Sequence, residues 1–89
     1  MRLTFDPAKN ARNIQERGLP FSMVENFDWQ HAVIMEDTRQ DYGERHFRAF
    51  GRIEDRLFAV VFTPRHDALH IISFRKANKR EEKRYGQPN

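Results

Sequence analysis

The sequence predicts an α+β fold: a mostly antiparallel sheet of four to five strands, two N-terminal helices on one of its faces and a basic helix at the C-terminus. Three observations predict it. Helix-start and helix-stop residues crowd the first 28 positions. From Arg45 onward apolar and polar residues alternate with period two, and a run apolar on both faces follows. Beyond Phe74 the chain passes into a charged segment bracketed by Asn78 and Gly86.

Each element has its own signals. Positions 1–5 hold Leu3-Thr4-Phe5, a short edge strand. Two helices are expected over 6–28. Asp6 is a good N-cap and Pro7 suits the first helical position, so the first helix runs from Pro7 to Arg17. Gly18 stands where a left-handed C-cap residue belongs. Ala8, Ala11 and Ile14 are the apolar positions expected to face the sheet, with Lys9, Arg12 and Arg17 outward. The second helix follows Pro20-Phe21, with Ser22 and Glu25 at capping-box spacing and Met23, Val24 and Phe27 on its apolar side. Trp29 is a core plug.

A meander fills 31–75. Ala32 to Met35 is its first strand, and Glu36 to Gly43 is a polar loop longer than a hairpin needs. In the next strand Phe47, Ala49, Gly51 and Ile53 form the apolar face; His46, Arg48, Phe50 and Arg52 form the other. Glu54-Asp55 is a turn, Arg56 to Thr63 is the central strand, and Pro64 to Asp67 is a turn because Pro cannot continue a central strand. Leu69 to Phe74 is the last strand. The helix at 77–85 has only Ala77 and Tyr85 as apolar candidates, so it is expected to be mobile alone or held by a partner.

At 89 residues the chain reads as one domain, 1–89, burying roughly 60–65% of its unfolded surface. Eight Phe, one Trp and two Tyr supply much of that core. There is no Cys, hence no disulfide or thiolate chemistry. No signal-peptide pattern and no apolar run near ~20 residues is present, so a soluble cytoplasmic protein is expected.

The charge is local. From Arg75 to Tyr85, six basic and two acidic residues give +4, against +3 for the whole chain, so the remainder sums to −1. A basic patch where a strand runs into solvent is the footprint of an anionic partner; a solvated helical face is the bland alternative.

Several chemistries are excluded. His31, His46, His66 and His70 lack metal-motif spacing, the four glycines form no phosphate loop, and there is no GxSxG elbow, so neither metal nor cofactor is expected. A basic, aromatic-bearing face remains. Metal-free RNA cleavage needs such groups: a base for the 2′-hydroxyl, an acid for the leaving 5′-oxygen and cations for the phosphoryl charge. Arg45, Arg65 and Arg75 are the catalytic cations expected to share one hollow. His46, Lys76, Glu44, Tyr42 and Tyr85 are the proton movers, and Arg48, Arg52, Lys79 and Arg80 would bind RNA. Tyr85 serves equally well as the last helix's anchor, and Phe50 suits packing beneath that helix better than stacking on a base.

Phe5-Asp6-Pro7-Ala8-Lys9-Asn10 with Asn13, Gly18 and Phe21 resembles the opening of BrnT-type toxins of bacterial BrnT/BrnA toxin–antitoxin modules. Asp41-Tyr42-Gly43-Glu44-Arg45, Gly51-Arg52, Val60 to Thr63 with Arg65, and Ile71-Ile72-Ser73-Phe74-Arg75-Lys76-Ala77 with Glu81 and Tyr85 extend the resemblance over almost the whole chain. The chain departs from the pattern at Arg17, His70 and Phe74. The resemblance implies a RelE-like fold, a ribonuclease that blocks translation, and a BrnA-type antitoxin with a DNA-binding ribbon-helix-helix part. A competing reading is a non-catalytic RNA-binding or adaptor domain, which predicts salt-sensitive binding without cleavage.

Overall fold

The computed structural model describes residues 2–87, so position 1 of the expected edge strand and positions 88–89 lie outside the described residues. In chain order the elements are β1 (Arg2–Phe5), α1 (Pro7–Arg17), a 3₁₀ helix (Phe21–Asn26), β2 (Val33–Asp37), β3 (His46–Ile53), β4 (Arg56–Arg65), β5 (Ala68–Lys76) and α2 (Lys79–Tyr85). They form a five-stranded sheet ordered β1-β5-β4-β3-β2. β2 to β5 make the expected antiparallel meander, but β1 pairs with β5 in parallel, so the sheet is mixed.

α1 starts and stops where its signals lie. Asp6 Oδ1 accepts the Ala8 N–H at 2.9 Å, and Gly18, at φ +69°, donates its N–H to Ile14 O. Its inward face is not the expected one. Ala8, Ala11 and Ile14 are exposed, and Asn13 is buried instead. Asn13 Nδ2 donates to Leu19 O at 2.8 Å and to Phe74 O at 2.9 Å. β1 pairs with β5 only as far as Ile71, which leaves the later β5 carbonyls on a bare edge. A buried carbonyl needs a donor, and an amide supplies one where Ala or Ile could not.

The second helix is 3₁₀, and its N-cap is Pro20 with no side-chain cap bond, so the Ser22/Glu25 capping box does not form. Phe21, Val24 and Phe27 are buried, with Met23 only at the margin. Their spacing of three matches three residues per turn, which is why this geometry wins over α.

The core lies between these helices and the sheet. Ala49 and Ile53 of β3, Phe58, Val60 and Phe62 of β4, and Ile71 and Phe74 of β5 join Leu19, Phe21, Val24 and Phe27. Trp29 packs edge-on to Phe27 and Phe62. Gly51 is required by contact: a Cβ there would lie 2.6 Å from Phe27 Cζ.

β4 continues through Pro64 to Arg65, so the turn is His66-Asp67 alone. Pro is tolerated because pairing with β3 ends at Phe62, leaving Pro64 a neighbour on one side only. A bulge in β5 sets Ser73 opposite Val61 but Ile71 opposite Phe62. The extra residue changes the parity of the strand. Ile71 and Phe74 therefore share the core face, and His70 and Arg75 share the other.

α2 packs on its own domain through side chains other than the apolar stripe whose lack led to the expectation of a helix mobile alone or held by a partner. Tyr85 stacks on Phe50 at 4.2 Å between centroids, Arg52 Nη2 donates to Gly86 O at 2.6 Å, and Arg75 pairs with Glu81. The missing apolar stripe is replaced by one aromatic stack and charge-assisted hydrogen bonds.

Candidate active site

The sheet face away from α1 carries His46 and Arg48 of β3, Thr63 and Arg65 of β4, and His70 and Arg75 of β5. Its residues fall into two groups, one at each end.

The first group forms where β2 hands over to β3. Asp37 and His46 are cross-strand partners. Asp37 is buried and takes two hydrogen bonds from the Arg39 guanidinium, Nε and Nη2 each at 2.8 Å, one from the Arg39 backbone N–H at 3.2 Å and one from Tyr42 Oη at 3.2 Å. The Arg39 guanidinium holds its carboxyl well below the usual range, while Asp37 in turn raises Arg39. Tyr42 stacks on His46 at 3.9 Å, so the loop folds back and covers the imidazole. Glu44 accepts from Arg65 Nη2 at 3.1 Å and lies 3.5 Å from His46 Nε2. Arg65, followed by His46, lowers the Glu44 carboxyl. His70 sits close enough to feel both Arg65 and Glu44; burial first, then Arg65, pushes its imidazole down. His70 Nδ1 is 2.9 Å from Thr4 Oγ1.

The second group surrounds α2. Arg75 Nη1 and Nη2 donate to the two Glu81 oxygens at 2.8 and 2.9 Å, drawing that carboxyl down to about 2. A hollow of about 230 Å³ is lined by Arg48, Arg80, Glu81, Arg84 and Tyr85. Arg48 Nη2 reaches only the Met35 sulfur at 3.4 Å, and its buried Nε has no acceptor among the described residues. The groups are contiguous. His46 and Arg48 stand side by side on one face of β3, about 7 Å apart, and the Arg39 charge is felt at Arg75.

The expected trio of arginines does not converge. Arg45 lies 5.1 Å over the Phe47 ring and pairs with Glu36, on the core side of the sheet, because one step along a strand reverses the face. Arg65 and Arg75 lie opposite Ala68 and Ala59 respectively, at opposite ends of the second face. Lys76 is paired with Phe58 on the core-side rim, and Lys79 is exposed on α2. Arg52 is occupied by Asp55 O and Gly86 O, and Tyr85 by its stack on Phe50. The structure does bring together Glu44, His46, Arg65 and Tyr42, and sets Arg48 beside them. Asp37, Arg39 and the placement of His70 had no sequence signal beyond the length of the loop and the parity of the strand. Among the described residues no three His, Asp or Glu side chains are grouped to hold a metal ion.

Residues 5–81 match the family model of BrnT, the ribonuclease toxin of type II toxin–antitoxin systems. The chain belongs to the BrnT family. Comparison with curated proteins returned no match. Membership makes this BrnT chain a ribonuclease toxin, with RNA as its substrate and an antitoxin as its counterpart. The reading as a non-catalytic binding or adaptor domain yields to it. Among the described residues, no helix of this BrnT chain is long and apolar enough to cross a membrane.

Proposed function

We propose that this BrnT toxin cleaves RNA on the second face of its sheet without a metal ion. The 2′-oxygen attacks the adjacent phosphorus, the bond from phosphorus to the 5′-oxygen breaks, and the products are a 2′,3′-cyclic phosphate and a 5′-hydroxyl. Two proton transfers and one site of growing negative charge must be served.

His46 takes the proton of the 2′-hydroxyl. It is held beneath Tyr42 and 3.5 Å from Glu44, which fixes the ring. His70, on the far side of β4, returns a proton from its imidazolium form to the leaving 5′-oxygen. Arg65 and Arg48 flank His46 and stabilise the phosphoryl oxygens, as a planar guanidinium does best.

The observation that carries this reading is His46 and Arg48 side by side on one face of β3, each with a second cation nearby. The fold is read as RelE-like, the protein as cytoplasmic and a blocker of translation. Its antitoxin is read as BrnA-type with a ribbon-helix-helix part binding DNA. Incubation with RNA in excess chelator tests the chemistry. Cleavage with cyclic or 3′-phosphate ends is expected; activity restored only by added divalent metal would overturn it.

A further inference from the structure

The cationic hollow beside α2 contains its own anion. Glu81 presents two oxygens to the two terminal nitrogens of Arg75, at 2.8 and 2.9 Å, in the fork geometry a phosphate also uses. Arg48, Arg80 and Arg84 line the same hollow, and none has a carboxylate within ion-pair distance among the described residues. Arg48 also has a buried Nε with no acceptor. A buried guanidinium N–H left unpaired is costly, so Arg48 has a donor to spare for an anion. Glu81 thus stands between Arg75, which pairs with it from outside that hollow, and the three arginines that line it.

We infer that Glu81 is a stand-in for an RNA phosphodiester, and that Arg48 and Arg75 form a phosphate subsite which α2 closes until RNA displaces the carboxylate. This rests on the proposed cleavage face and adds a second phosphate position to it, next to the reacting one. Arg48, one same-face step along β3 from His46 and about 7 Å from it, is shared by the two positions, and Arg75 holds the phosphate next along the strand.

The carboxylate has a second task that a test must preserve. Glu81 Oε1 accepts the Asn78 N–H at 3.0 Å, and Asn78 Oδ1 accepts the Glu81 N–H at 2.8 Å, a complete capping box for α2. Gln closes such a box as Glu does. Glu81→Gln therefore keeps the cap and removes the charge.

The experiment measures binding of a non-cleavable 2′-deoxy oligonucleotide by the full chain across a salt series. Glu81→Gln should bind about three- to tenfold tighter, as expected for freeing one partly exposed arginine. Its log–log salt slope should steepen by about 0.7, the value of one further contact to a single strand. Arg75→Ala in the E81Q background should cancel both changes. Unchanged or weaker binding by E81Q, or a gain that survives loss of Arg75, would overturn the subsite. Failure of the cleavage face itself looks different: His46→Ala and Arg48→Ala would then leave RNA cleavage intact.

Discussion

Asp37 and His46 face each other across β2 and β3, and Tyr42, from the loop between them, donates to the first and stacks on the second. One buried carboxylate therefore orders a loop whose ring lies on the imidazole. Asp37→Asn keeps the shape and removes the charge that gathers Arg39 and Tyr42. Cleavage should slow by roughly ten- to a hundredfold, the scale of a small misplacement at a reacting group, while circular dichroism stays native. Tyr42→Phe, which keeps the ring, should slow it less. A wild-type rate for D37N would mean that the loop's order is not used.

On the proposed cleavage face, the two sides of β3 separate catalytic from bystander cations. His46→Ala should lower the cleavage rate by about 10²–10⁴, the usual worth of a positioned acid or base. Arg48→Ala should lower it by about 10²–10³, as loss of one charge-stabilising donor does. Arg45→Ala should stay near wild type, because Arg45 lies over Phe47 on the core side. Single-turnover rates on one oligoribonucleotide compare all three, and an inactive R45A would put the site on the wrong face.

Tyr85 is assigned to anchoring α2. Tyr85→Phe preserves its stack on Phe50 and should leave both activity and stability unchanged. Tyr85→Ala removes a stacked pair worth about 0.5–1.5 kcal/mol and should speed amide exchange across 79–85. Arg52→Ala, which strips Gly86 O of its donor, should do the same. A large loss of activity in Y85F with normal exchange would instead make the hydroxyl a proton carrier.

Docking of α2 should depend on acidity. Arg75 draws the Glu81 carboxyl down from its ordinary 4.5 to about 2 in the folded chain. A depressed carboxyl stabilises the state that depresses it above the ordinary value, and that contribution fades as pH falls through the folded one. The helix should therefore be held fully above about pH 4.5 and loosen on the way to pH 2. Ring-proton shifts of Tyr85 along an acid titration would follow it, and E81Q should flatten the curve.

Core fit gives two stability tests. Phe62→Ala should cost about 3–5 kcal/mol, since the ring is buried against Phe47 and Trp29. Gly51→Ala should cost about 1–3 kcal/mol by overpacking, because Phe27 is itself fixed in the core and cannot withdraw from the new Cβ. Denaturant midpoints of the two variants settle both numbers.

Local residue patterns carried whatever depends on neighbours a few positions apart. The start of α1 at Asp6-Pro7 and its stop at Gly18, the alternation from Phe47 to Ile53 and the cap of α2 at Asn78 all rest on short-range bonds and side-chain parity, and all are present. Which basic residues meet was set by contacts between distant parts of the chain. One step of parity sends Arg45 to the core side, an unforeseen bulge puts Arg75 on the face of His70, and a bare strand edge draws Asn13 inward in place of Ile14. Those outcomes turn on hydrogen bonds between residues up to 61 positions apart, and no local pattern encodes them.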